Sequence, residues 1–401
     1  MNARTLTRLR AELAGFLEEF TESLGRRDRR AWAATYVRGL LLDGDRKSIE
    51  PMAARLRSID CSSKDYEQSL QQFVSQSPWD PRPVREALAR FVAREAGDGV
   101  LIVDDTGFPK QGRHSVGVAR HYSGTLGKVG NCQIGVTLQY ADSDDVFGLD
   151  AELYLPKSWA EDRERCRRAG VPDDVGHRPK WQLALTMIAR AREVGFTGTV
   201  LADSAFGSVT EFRRTLDEAG HPYAVGVDGT LLVVDPAEGP GETPAYSGRG
   251  RHPRPRPPKG HKVREFARAR ARDFRRVTWN DGKQGGRSGR FAAWRVRPGQ
   301  RRTQQPECWL LAEWPPGEDA PCKFHFSNLP PRTSLRKLVH TTRARWQVER
   351  SYRELKGELG LDHFEGRSWT GWHHHVTLVL VAAAFLVTQR RKRGSRRKAP
   401  A

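Results

Sequence analysis

The stretch Gly99-Val-Leu-Ile-Val-Asp-Asp-Thr-Gly-Phe-Pro109 decides the fold class. Four apolar, largely β-branched residues run into two carboxylates and a turn, the pattern of a buried strand that stops at its polar end. Before it, residues 1–97 repeat apolar positions near every 3.6 residues in "RTLTRLRAELAGFLEEFTESL", "AWAATYVRGLLL" and "PRPVREALARFVAREA", with breaks at Asp43-Gly44, Pro51 and "SPWDP". That spacing predicts a helical domain. After the stretch, "HSVGVARHY", "NCQIGVTLQYA" and "GLDAELYLP" read as strands between Gly- or Asp-rich turns. A helix ("RPKWQLALTMIARAREVG"), a strand ending in an acid ("TGTVLADSAFG"), a helix ("SVTEFRRTLDEAG") and a strand ("PYAVGV") follow. Helices alternating with strands in this order predict an α/β fold built on a mixed sheet, in which function gathers where strands end.

Four boundaries follow from shifts in composition. Residues 1–97 form a helical domain, for which DNA docking and plain packing are both open. Residues 98–227 are the first part of an α/β core. Residues 228–330 are a β-rich insertion carrying a Pro- and Arg-rich loop, "RGRHPRPRPPKGHKVREFARARARDFRR" (Arg249–Arg276), expected not to pack as core. Residues 331–389 return to helical spacing, and residues 390–401 are a basic tail expected to be disordered.

The chain carries 68 Lys and Arg against 48 Asp and Glu, a formal charge of +20 over 401 residues. This excess makes a polyanion the first partner to consider. The apolar run Val376–Val387 is shorter than a membrane crossing needs, and the N-terminus lacks a signal-peptide pattern. Five scattered cysteines without a C-x-x-C pair point to a reducing compartment; cytoplasmic residence and no membrane are expected. His373–His375 point in three directions on a helix and are not expected to share an ion. "HYSGTLGKVG" does not match a phosphate-binding loop, so no nucleotide cofactor is implied.

Carboxylates close two of the strands: Asp104 and Asp105 in "LIVDDTG", and Asp203 in "VLADSAFG". An Asp at such a position either caps a turn or helix or belongs to a set of hard ligands for divalent cations. A third acid lies in "RARWQVERSYRELKGEL" (Arg343–Leu359). Read as one helix, this segment puts Arg345, Glu349 and Lys356 on one face, with Glu354 and Glu358 on another. That face is either a row of surface ion pairs, about 0.3–0.5 kcal/mol each, or one wall of a phosphate-handling site. Lys110, Arg113 and His114, just after the first acids, are either DNA contacts or parts of a solvated loop. Trp159, Trp181 and Trp346 are candidates for base stacking or for core.

In its wording the chain resembles the DDE transposases of bacterial insertion sequences, in particular the insertion-sequence 701 type. The resemblance lies in "YVRGLLLDGDRKSIEPMAARL", "DDTGFPKQGRHSVGVARHYSGTLGKVGNCQIGV" and "LADSAFG". In "TTRARWQVERSYRELK" it extends to the helix signature Y-x-x-R-x-x-x-E-x-x-x-x-x-x-K, with Thr342 in place of Tyr. The resemblance implies an RNase H-like mixed sheet with helices on both faces. It implies catalytic, metal-binding residues Asp104 (or Asp105), Asp203 and Glu349, and phosphate binding by Arg345 and Lys356. It further implies two Mg²⁺ ions, replaceable by Mn²⁺. The activity implied is cleavage and strand transfer at the inverted-repeat ends of an element, with target DNA and a homodimer in the synaptic complex. The alternatives are an inactive DNA-binding descendant of such an enzyme and a nuclease or RNA-processing enzyme on the same fold.

Overall fold

A computed structural model describes residues 3–61, 63–123, 127–238, 258, 260–280, 286–299 and 305–398. The chain divides into two compact units, Met1–Phe196 with Trp346–Ala401, and Thr197–Arg345.

The first unit opens with five helices: α1 (Ala3–Thr21), α2 (Arg27–Leu41), α3 (Ile49–Asp60), α4 (Tyr66–Ser75) and α5 (Pro81–Glu95). Local chemistry sets their starts. Asp65 caps α4 by accepting from the Gln68 amide, and Asp80 caps α5 with Pro81 behind it. Four strands follow: β1 (Val100–Pro109), β2 (Ala119–Ser123), β3 (Lys128–Ala141) and β4 (Val146–Leu153). The long β3 pairs antiparallel with β1 along one edge. Along its other edge its first half pairs with β2 and its second half with β4. The helices α6 (Lys157–Ala160), α7 (Arg163–Arg168) and α8 (Lys180–Val194) complete this stretch. Gly195, at φ 109°, ends α8 in the left-handed conformation that favours glycine.

The second unit begins with β5 (Thr199–Ala202), α9 (Ser204–Gly207), α10 (Thr210–Glu218) and β6 (Tyr223–Val227), with β5 and β6 parallel. Then come β7 (Leu232–Val234), β8 (His261–Lys262), α11 (Val263–Ala269), β9 (Arg275–Asn280), β10 (Gly286–Pro298), β11 (Cys308–Trp314), β12 (Lys323–Ser327) and α12 (Leu335–Arg343). The strand order is β5-β6-β12-β11-β10-β7-β8, with β9 also on β10. All pairs after the first are antiparallel, so this sheet is mixed. After a 3₁₀ turn, Ala344–Trp346, the chain returns to the first unit with α13 (Gln347–Gly357) and α14 (Trp369–Lys398). The α/β class and the mixed sheet match the sequence reading.

Several expectations change. The helices before residue 97 are not separate from the rest of their unit. They pack on α14, whose buried histidines reach back to them: His375 Nδ1 is 2.9 Å from the Tyr36 hydroxyl, and the His374 nitrogens lie 3.0 and 2.8 Å from the Val74 and Trp79 carbonyls. A buried imidazole must be hydrogen-bonded, and here the partners lie some 300 residues earlier in the chain. Part of the Arg249–Arg276 segment lies outside the described residues. The remainder does pack, with Val263, Phe266 and Ala267 of α11 buried. Residues 390–398 continue α14 rather than forming a loose tail. Arg391 pairs with Asp142 and Asp145, and Arg390 with Glu354. Trp369–Arg393 is, by length and composition, apolar enough to cross a membrane. Its most apolar window is 83% buried within the protein, however, as befits a core helix.

Candidate active site

β1 does not stop at its acids: pairing with β3 carries it on to Pro109, so Asp104 and Asp105 lie mid-strand and strand alternation separates them. Asp104 stands opposite Thr137 in the antiparallel register, so their side chains share a face of the sheet. The Thr137 hydroxyl is 2.6 Å from the Tyr352 hydroxyl of α13. Four residues further along α13, the Lys356 ammonium donates to the Gly107 carbonyl of β1 at 2.9 Å and lies 5.9 Å from the centre of the Phe108 ring. The helix therefore lies on the Asp104 face. Glu349 precedes Tyr352 by three residues, on the same side of α13, and is exposed. Asp105 faces the other way, toward α8, where it forms an ion pair with Lys180. On that side His121 is held below its ordinary pKa by burial and by the Lys180 charge, against the pull of Asp105. Asp104 turns one oxygen back to the Asp105 amide at 3.0 Å.

Asp203 occupies the end of β5 in the second unit. Its Oδ1 accepts from the Ala205 amide at 2.9 Å and the Phe206 amide at 3.4 Å, which makes it the N-cap of α9. Its Oδ2 lies 3.9 Å from an Arg345 nitrogen. Two glycines let this turn settle on β6. A Cβ at Gly207 would stand 2.0 Å from the Gly226 carbonyl oxygen, and one at Gly226 would stand 3.0 Å from the Ser204 nitrogen. The "DSAFG" wording thus has a packing reason beside any chemical one.

The reading of Arg343–Leu359 as one helix needs correction. The 3₁₀ turn Ala344–Trp346 separates α12 from α13. Arg345 approaches Asp203 within its own unit, while Glu349 and Lys356, seven residues apart, share a face of α13. Lys356 is not an exposed cation: burial lowers its pKa, opposed by Asp362, and its ammonium is committed to β1. Lys110 is likewise half-buried, donating to the Phe364 carbonyl, with its pKa lowered chiefly by burial. Arg113 and His114 are exposed. Glu354 pairs with Arg390 instead of standing free in solvent. Trp159 is buried and donates its indole N–H to the Val118 carbonyl at 2.8 Å, which removes it as a stacking platform. The three histidines hold no common centre. His373 faces the Trp369 carbonyl and Glu152, and the other two bond to the α2, α4 and α5 side as described above.

Two residues that hold the carboxylates in place escaped the sequence reading, Lys180 and Tyr352. The signal for Tyr352 was present, because it stands three positions after Glu349. Nothing local marks Lys180, which meets Asp105 across 75 residues. Among the described residues, no group of three or more His, Cys, Asp or Glu side chains is gathered as a metal ion requires.

Residues 19–286, about two-thirds of the chain, match the family described as DDE superfamily endonuclease. That span contains Asp104 and Asp203 and stops before Glu349. A protein of Microchaete diplosiphon named a probable transposase for insertion sequence element IS701 is 31% identical over 193 residues, 47% of this chain and 46% of that one. The chain thus spans about half the length of the curated relative it matches. Enzymes of this family generally use divalent metal. With the carboxylates of Asp104 and Asp203 inside a match covering two-thirds of its length, the chain belongs to the DDE superfamily endonucleases.

Proposed function

We propose that the protein is a transposase that cuts DNA at the ends of an insertion sequence and joins the freed ends to target DNA, on an RNase H-like core. The observation that carries this reading is the shared face of Asp104 and Glu349, with α13 held to β1 and β3 through Tyr352 and Lys356. Asp203 is the third acid, at the end of β5. All three offer hard oxygen donors on half-buried or exposed side chains, the donor chemistry that Mg²⁺ or Mn²⁺ takes. When bound, two such ions supply activation of water and stabilisation of the leaving oxygen in phosphodiester cleavage. The chain's own contribution is positional. Thr137 and Tyr352 lock the helix bearing Glu349 over Asp104, and the cap of α9 holds one Asp203 oxygen while leaving the other turned toward Arg345. Arg345 is suited to hold a phosphate as a planar fork.

The alternative is a DNA-binding descendant that no longer cuts. One experiment separates the two. Supercoiled DNA carrying the element ends is incubated with Mg²⁺ and wild-type protein or Asp203→Ala. Nicking and end joining by the wild type, lost in the variant and on chelation of Mg²⁺, support the transposase. Tight binding of end DNA by both, with no cleavage by either, supports the inactive reading. Cleavage without joining indicates a hydrolytic nuclease.

A further inference from the structure

The loop after β1 and the helix α7 enclose a cleft of about 870 Å³ in the first unit. Arg113, His114, Arg165, Arg168 and Arg367 line it, with Asp162 the acidic residue among its walls. That acid is already engaged, because its Oδ1 accepts from the Arg165 amide as the N-cap of α7. Arg168 is matched by Glu164 at 2.7 Å. Arg113, Arg165 and Arg367 form no ion pair among the described residues. The guanidinium of Arg165 lies 3.7 Å from the centre of the Trp159 ring and donates to the Arg113 carbonyl at 2.5 Å, so it is held in place before any ligand arrives. Burial, together with the charges of Arg113 and Arg168, lowers its pKa. Like charges gathered from three separate segments repel one another, and an extended polyanion relieves that repulsion at several points at once. The α4 wall adds Ser75 and Gln76, neutral groups able to bond phosphate oxygens.

We propose that this cleft is a DNA-backbone cradle, in which Arg113, Arg165 and Arg367 hold successive phosphates of a duplex. The proposal rests on the DNA-processing reading above and adds to it a binding surface made of α7 and its flanking loops. Phosphate bonds of this kind position DNA without reading its sequence.

The test measures binding of a short mixed-sequence duplex by fluorescence anisotropy over a series of salt concentrations. The proteins are the full-length wild type, Arg113→Ala/Arg367→Ala and Arg113→Lys/Arg367→Lys. Removing one phosphate-binding arginine should make the plot of log K against log salt shallower by about 0.9, hence by about 1.8 for the double alanine variant. The double lysine variant, which keeps both charges, should retain the wild-type slope. Circular dichroism shows whether each variant is folded, and Arg29→Ala, at a half-buried position on α2, serves as a control for loss of charge elsewhere. A wild-type slope in a folded double alanine variant overturns the cradle, as does an equal loss in Arg29→Ala. Preference of the wild type for anionic phosphatidylserine vesicles over duplex also overturns it. The nuclease reading is separable. If the double alanine variant shows the expected slope change but the wild type never nicks, the cradle stands and the nuclease falls. If the wild type nicks while the variant binds unchanged, the cradle falls and the nuclease stands.

Discussion

Lowering the pH should destabilise the first unit through His375. This side chain is fully buried. Its Nδ1 faces the Tyr36 hydroxyl at 2.9 Å, its Nε2 faces the Gly360 carbonyl at 3.0 Å, and the Phe364 ring stacks on it at 5.6 Å. One donor and one acceptor satisfy a neutral imidazole, and a second proton would face the Tyr36 oxygen in a dry site. Burial pushes the pKa down from 6.5 to about 4, aided by the charges of Lys110 and His363 and opposed by the Gly360 and Leu361 backbone. Because the folded value lies below the unfolded one, the unfolded chain takes up a proton between about pH 6.5 and 4 that the folded chain refuses. Stability is therefore fully present above the upper limit and falls as the pH drops through this window. Going from about pH 7 to about pH 5 should cost about 2 kcal/mol from this group, rising to about 3 kcal/mol below pH 4. His374, also pushed to about 4 by burial, titrates in the same window. The assay must therefore compare the wild type with His375→Gln. Urea unfolding followed by tryptophan fluorescence at several pH values should show the variant less stable at neutral pH. Its pH profile should also be flatter by about 1.4 kcal/mol per pH unit across the middle of the window. Parallel profiles for wild type and variant would refute the claim that His375 is held neutral.

Three further outcomes follow from the geometry. Asp104→Asn should abolish Mg²⁺-dependent nicking. Asp105→Asn, which loses a partly exposed pair with Lys180, should still cut and lose no more than about 1 kcal/mol in an unfolding titration. Arg85 forms ion pairs with Asp150 at 2.7 Å and Glu152 at 3.7 Å in the interior. Arg85→Ala should cost about 3 kcal/mol, read from the denaturant midpoint, since it leaves buried carboxylates with Arg190 as their remaining arginine partner. Gly207→Ala should cost about 1–3 kcal/mol by forcing α9 away from β6, and should slow nicking as well, because Asp203 moves with that helix. A variant that keeps wild-type stability and cutting would sink the packing account of the "DSAFG" turn.

Local periodicity carried much of the reading. The strand that carries Asp104, the strand that ends just before Asp203 and the helices between them follow from side-chain spacing along a few consecutive residues, although the first strand runs on past its acids to Pro109. That Asp104 and Asp105 point to opposite faces also follows from the strand period alone. Which of the two faces α13 does not. It depends on the pairing of β1 with β3 and on the Tyr352–Thr137 hydrogen bond across 215 residues. The same holds for cations. Arg345 and Lys356 look alike as charges in a string of letters, yet one approaches Asp203 while burial commits the other to a backbone carbonyl. Spacing reports the direction of a side chain relative to its own element. Partner, burial and pKa are set by what other elements bring within a few ångströms, and those elements come from distant parts of the chain. Hence the acids on β1 and after β5 could be named from composition and pattern, while the division into two units, the anchoring of the N-terminal helices on α14 and the arginine cleft emerged from long-range packing.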